Sequence, residues 1–278
     1  TEQDGIAIVE LAGRMDATTT PEFENATRAL LEAGKQRLLI DMSRLEYISS
    51  AGLRGILGLV KALKACAGKL AFCSLQPMTA EVFRISGFNA MLTRQKEQEG
   101  EANVTTILFD HEVQLLHDRF PLHAVAPLTE KDYYVRGCTA LLDAIGYGVE
   151  KMVNIQRHLP EDERAEKVIF VITTDGLENA SKRFGYEKIR RMIEREKEQY
   201  GWEFLFLGAN MDAVKEAAGF GISSDRAVRF ENDAQGVAVN YHVVSETVCR
   251  MRQAACPASI GAEWKEEIEA DFQKRHQG

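Results

Sequence analysis

The chain has 278 residues, 45% of them hydrophobic and 27% charged, the balance of a globular protein with one large domain or two modest ones. Its 34 Lys and Arg against 42 Asp and Glu give a formal charge of −8, which argues against a general binder of phosphate backbones, so no nucleic-acid partner is expected. No apolar run approaches the roughly 18 residues of a membrane helix and no signal peptide opens the chain, so no membrane partner is expected and the protein reads as cytoplasmic.

In chain order, Ile6–Leu11 reads as a short strand. A helix follows, with Thr19 or Thr20 as N-cap, Pro21 in its first turn, and Glu22 and Glu24 where the helix dipole favours acids. Leu38–Ile40 is a buried strand running to Asp41. Leu53, Ile56, Leu57, Val60 and Leu63 then recur at helical spacing up to Gly68. Leu70–Leu75 is the next strand and Thr79–Ile85 a last short helix. The polar stretch 93–103 reads as the end of a helix. Val104–Phe109 and Val113–Leu116 form a hairpin, and a helix runs from Thr139 to Gln156. Val168–Thr173 is an uncharged strand of the kind parallel sheets bury. Helix Tyr186–Tyr200, strand Glu203–Leu207, a helix capped by Asp212 after Asn210, edge strand Val228–Phe230 and helix Gly236–Arg252 complete the order. In the tail, Ile260, Trp264, Ile268 and Phe272 lie at roughly helical spacing, an amphipathic helix expected to dock on its own domain.

The fold class expected is α/β: a mixed sheet with helices, then a doubly wound sheet whose ligands sit at strand C-termini. The charge divides the same way. Residues 1–93 hold 10 basic and 10 acidic side chains, leaving 24 and 32, the whole −8, to the rest. The 5 cysteines (66, 73, 138, 249 and 256) form no CxxC and read as buried thiols of a reducing compartment.

The first chemically informative stretch is Ile48-Ser49-Ser50-Ala51-Gly52-Leu53, where a helix begins at Ser49 or Ser50. A serine hydroxyl there caps the first turn, and a phosphate there would meet free N–H groups and the positive helix end. Both readings are open on pattern alone. No enzyme is expected: Ser50 lies in no GxSxG elbow, and the 6 histidines all fall in the other half without a triad context.

Gly13-Arg-Met-Asp16, Asp41-Met-Ser43, the serine turn and Ala80–Phe88 together resemble the STAS family, the sulfate transporter and anti-sigma factor antagonist domains, over about residues 1–92. The resemblance implies a partner that is both serine kinase and anti-sigma factor, and phosphorylation at Ser50, with Ser49 as the alternative. It also implies a partner-binding face containing Asp16, Asp41, Ser49, Ser50 and Gly52. The family's usual strand before Ile6 is reduced here to Thr1–Gln3, and residue 1 is Thr, so a clipped N-terminus is expected.

Two turns in the second half place a hydroxyl and a carboxylate where Mg²⁺ would find hard oxygen ligands: Gly137-Cys-Thr139-Ala-Leu-Leu-Asp143-Ala and Thr173-Thr-Asp175-Gly176. On spacing alone, a helix cap and a turn aspartate are the preferred account. These segments resemble a bacterial von Willebrand factor A-type domain, expected over residues 93–252 with the tail 253–278 appended. The resemblance makes Thr139 and Asp175 corners of a metal site. The family's DxSxS is absent, so the domain lacks its first strand, and no cofactor, Mg²⁺ included, is expected. Ser86–Leu92 fits both families, which marks a fusion inside that string. The second half is then a protein-interaction module, less compact than the first. A metal-dependent scaffold with the first half as a docking module is the alternative function.

Overall fold

The computed structural model describes residues 2–3, 5–66, 68–74, 77–129, 138–209 and 211–276. It divides into two compact units, Thr1–Gly87 with Asp233–Ala238, and Phe88–Asn232 with Val239–Gly278.

The first unit contains strand β1 (Glu2–Gln3), β2 (Ile6–Met15), helix α1 (Thr20–Glu32), β3 (Arg37–Ile48), α2 (Ser50–Ala65) and β4 (Lys69–Cys73). The sheet order is β1-β2-β3-β4, with β1 antiparallel to β2 and the other pairs parallel. β3 supplies the centre: Leu38, Ile40, Met42, Leu45 and Ile48 are all buried, against Leu53, Ile56, Leu59 and Leu63 of α2 and Phe23 of α1. The expected α2 stripe shifts slightly, since Leu59 is buried and Val60 half-buried. β2 and β3 run longer than the apolar runs Ile6–Leu11 and Leu38–Ile40 suggest. They stay paired through irregularities at Glu10/Ala12 and Gly13/Arg14 as far as Met15 opposite Ile48. A bulge costs one unpaired residue but keeps the ladder, so polar residues extend a strand that hydropathy alone would end.

The helix read as Thr79–Ile85 is instead the first part of α3 (Pro77–Lys96), which crosses the division between the units. The second unit continues with β5 (Asn103–Phe109), β6 (Val113–Pro121), α4 (Leu141–His158), β7 (Ile169–Thr174), α5 (Tyr186–Tyr200), β8 (Glu203–Ala209), α6 (Ala213–Gly219), β9 (Ala227–Phe230), α7 (Ala234–Gln253) and α8 (Glu266–His276). Asp212 caps α6, accepting from the Lys215 N–H at 3.1 Å.

The single doubly wound sheet expected for this half is two sheets. β5 and β6 form an antiparallel pair, and β7-β8-β9 a parallel sheet in that order. All seven residues of β8 are buried, whereas only Ile172 and Thr174 of β7 are, so the core lies on β8, and among the described residues β7 is an edge strand. α4 covers both sheets: a Cβ on its Gly148 would lie 3.0 Å from Ile107 Cδ1 of β5 and 3.2 Å from Phe170 Cε1 of β7. Among the described residues β7 has one partner strand and β3 has two. Amide exchange at Val168–Ile172 is therefore expected to be faster than at Leu38–Ile40. Equal protection in a hydrogen-exchange measurement would contradict this.

The tail docks on its own unit, as its apolar spacing predicts. It does so through two 3-10 turns followed by α8 rather than one helix. Ile260, Trp264 and Ile268 are buried, Trp264 Nε1 donates to the Asp225 carbonyl at 2.7 Å, and the Arg229 guanidinium lies over the Phe272 ring. Beneath the tail the buried pair Arg226–Glu203 closes at 2.7 Å. Of the cysteines only Cys249 is buried. Cys66, Cys138 and Cys256 are exposed and Cys73 is half-buried.

Candidate functional site: the serine turn and the threonine–aspartate turn

The ends of β2 and β3 build the serine turn. The Ser49 N–H donates to the Met15 carbonyl at 2.9 Å, carrying the sheet ladder one residue past β3. The Ser49 carbonyl then accepts from Leu53, and its hydroxyl accepts from the Gly52 N–H at 3.4 Å. Ser49 is therefore the cap and Ser50 the first helical residue; the Ser50 side chain lies outside the described ones. Gly52 is required by a close approach. A Cβ there would stand 2.7 Å from the Met15 carbonyl oxygen and 2.8 Å from Ile48 Cγ1.

Asp16 occupies the neighbouring turn. Its carboxylate accepts from the Thr18 N–H at 3.0 Å, its own N–H donates to Thr19 Oγ1, and its carbonyl accepts from Thr20 Oγ1. These bonds explain why Thr19 and Thr20 both read as caps: each hydroxyl is used, but in fixing the Asp16 turn. Asp16, Ser49 and Gly52 are thus brought together. Asp41 is not. It lies in the middle of β3, roughly 25 Å of extended chain before the turn at ~3.3 Å per residue. There its carboxylate accepts from the Ser43 N–H at 2.9 Å, and that bond holds it below the ordinary carboxylate range. Asp41 therefore shapes the β3 irregularity next to Cys73 of β4, whose thiol burial pushes up.

Sequence reasoning passed over Arg14 and Tyr47 on this face. Arg14 and Tyr47 are register partners, and the guanidinium lies 4.1 Å from the Tyr47 ring centroid. Arg14 Nε is 3.8 Å from an Asp16 carboxylate oxygen. The period-2 alternation around buried Met15 and Ile48 was the available signal.

In the second unit the two quoted turns do meet. A Cβ on Gly176 would lie 2.5 Å from Thr139 Oγ1, and the Thr139 N–H donates to Asn179 Oδ1 at 2.8 Å. The helix itself starts at Leu141, two residues later than expected, and Gly137 lies outside the described residues. The first turn of α4 is satisfied from within the chain. Glu178 accepts from the Leu142 N–H at 2.8 Å, and Ser181 Oγ from the Asp143 N–H at 3.0 Å. In return the Asp143 carboxylate accepts from the Lys182, Arg183 and Phe184 N–H groups at 2.9–3.0 Å. Burial pushes the Asp143 carboxyl up, but these donors and the Arg183 charge outweigh it and hold it below the usual aspartate value.

The turn is thus a reciprocal clamp between a helix start and a loop. Thr139 Oγ1 packs on Gly176, Asp175 accepts from Asn232 Nδ2 at 3.3 Å, and no group of three or more His, Cys, Asp or Glu among the described residues is placed to hold a metal. No helix among the described residues is long and apolar enough to cross a membrane.

The sequence model of the STAS domain matches residues 1–102. The protein named as anti-sigma factor antagonist BtrV of Bordetella bronchiseptica is 37% identical over 99 residues, 36% of this chain and 85% of that protein. An anti-sigma-B factor antagonist of Staphylococcus aureus is 25% identical over 92 residues, 33% of this chain and 85% of that protein. Among solved structures, the phosphorylated form of the Bacillus cell fate determinant SpoIIAA is similar at 21% identity and a TM-score of 0.28, over 32% of this chain and 82% of that one. Through its first 102 residues the chain belongs to the STAS-domain family, of the anti-sigma factor antagonist type.

Proposed function

We propose that the protein is a regulator whose first unit binds a serine kinase that is also an anti-sigma factor and is released by phosphorylation of Ser50. The observation that carries this reading is the serine turn. Ser49 is consumed as the cap, which leaves Ser50 as the first helical residue beside the Asp16 turn. A phosphate at that position adds about −1.5 to −2 charge to the face without disturbing the core below it. The names of the Bordetella and Staphylococcus relatives support the partner class.

The second unit is a protein-interaction module of von Willebrand factor A type that lacks its first strand. The order hairpin, clamp, helix and three parallel strands supports that reading, as does the division between β5 and β7. The protein acts in the cytoplasm and is a substrate of its partner rather than an enzyme.

The test is mass spectrometry of the full chain after incubation with candidate anti-sigma kinases and ATP. One phosphate on Ser50, absent from Ser50→Ala, is expected. Phosphate at a site other than Ser49 or Ser50, or none with any kinase, would overturn the reading.

A further inference from the structure

We infer that the second unit takes up an extended, uncharged peptide segment of a partner protein as an added strand between β5 and β7. The inference names the partner chemistry for the interaction module proposed above and rests on that reading.

Two strand edges face each other there. Among the described residues β5 pairs only with β6, and β7 only with β8. Ile107 of β5 and Phe170 of β7 both reach Gly148 of α4, and Phe109 packs on the same core cluster as Phe170. The unpaired side of β5 is therefore turned towards β7. The two strands also run the same way. The Ala140 N–H, just before α4, donates to the Asp110 carbonyl just after β5, and Thr139 packs on Gly176 just after β7. Two turns further along α4, Gly148 lies over Ile107 and Phe170, further back in both strands. Both strands thus run opposite to α4 and parallel to each other, so one segment parallel to both can join both ladders.

The walls set the composition of that segment. Val104–Phe109 and Ile169–Thr174 contain no charged residue and no proline, and β7 pairs with β8 in unbroken register. Charges, prolines and bulges are the devices that keep an edge strand from pairing. Ile107, Leu108 and Phe109 on one side and Ile169, Phe170 and Val171 on the other are half-buried, next to a β8 that is buried along its whole length. A charge carried between them would meet no partner there, whereas an apolar run is what a parallel sheet buries on both faces.

The layer formed by α7 gives a second, independent sign. Asn232, before α7, donates to Asp175 after β7, and the Arg252 carbonyl, near the end of α7, accepts from Lys167 before β7, so α7 lies along β7. Ser245 and Cys249 of α7 face α3, where Gln95 reaches both. The other buried stripe, Asn240, Val244, Thr247 and Met251, recurs at helical spacing and turns to the sheet. Asn240 is 1% exposed, and among the described residues neither its amide nitrogen nor its amide oxygen has a hydrogen-bond partner. Buried amides are nearly always bonded, and the main chain of an added strand offers the acceptor and the donor that this one lacks.

The test uses the full chain and a dye-labelled synthetic peptide, Val-Ile-Val-Val-Ile-Val between terminal lysines, with a second version N-methylated at alternate core residues. Anisotropy should show saturable binding of the first and binding at least roughly tenfold weaker for the second, which keeps the apolar surface but loses N–H donors. The bound peptide should slow amide exchange along Asn103–Phe109 and Ile169–Thr174 and leave β8 unchanged. Val171→Lys should abolish binding, with its fold checked by tryptophan fluorescence, and Asn240→Leu should weaken it. No binding, equal binding of the two peptides, or protection outside β5 and β7 would overturn the inference. So would slow exchange at both edges before peptide is added: the gap is then filled by a second copy if dilution speeds exchange, and by this chain if it does not. The interaction-module reading falls separately, if cross-linking in intact cells places no partner on residues 103–253.

Discussion

Gly52→Ala is expected to destabilise the first unit by about 1–3 kcal/mol, the scale of overpacking a dense core, with Gly52→Val costing more. The added Cβ would meet the Met15 carbonyl oxygen at 2.7 Å and Ile48 Cγ1 at 2.8 Å, and neither can yield cheaply. Met15 O is the acceptor of the Ser49 N–H, so backing away breaks the bond that seats the serine turn. Ile48 is fully buried in the first unit's core cluster. Both tryptophans, Trp202 and Trp264, belong to the second unit, so their fluorescence does not report this loss directly. Urea unfolding followed by hydrogen exchange at Leu38–Ile40 would. Wild-type stability in Gly52→Ala would mean that the helix start can slide away from β2.

Asp143→Ala should weaken the second unit by about 3 kcal/mol, because three backbone donors lose a charged acceptor and water replaces it only in part. Tryptophan fluorescence during urea unfolding reads this unit. The same carboxylate gives a pH signature. Its native pKa is depressed, so its contribution is present above the ordinary aspartate value near 3.8 and is lost as pH falls through the lower native value. Wild type should therefore lose unfolding free energy below about pH 4 more steeply than Asp143→Asn, which has no charge to lose. Parallel pH profiles for the two proteins would remove Asp143 from the clamp.

Much of this was legible from hydropathy period and caps. The α5 limits, the tail docking and the Asp212 cap follow from apolar spacing and one acidic side chain before a helix, because these are local signals. The length of β2 and β3 was not legible, since Arg44, Glu46 and Arg14 are polar and only pairing keeps them extended. The clamp also escaped. Asp143 and the Lys182–Phe184 backbone are about 40 residues apart, and no periodicity links a helix residue to a loop's N–H groups. Asp41 sits apart from the serine turn for a related reason: the rest of β3, with two irregularities in its pairing to β2, separates them.

The long helix α3 changes what counts as a separable piece of this chain. The STAS match spans residues 1–102, yet residues 88–96 serve the other unit. Asn89 brackets the Leu128 backbone with bonds of 2.7 and 2.9 Å, Leu92 joins Leu122 and Val125 in an apolar cluster, and Gln95 donates to the Ser245 carbonyl. A fragment cut at the end of the family match carries off these anchors. One begun at residue 93 keeps Gln95 but takes Leu92 and Phe88 away from Leu122 and Val125. Inheritance by sequence and ownership by packing diverge along that helix, and a recombination that respects the first boundary violates the second.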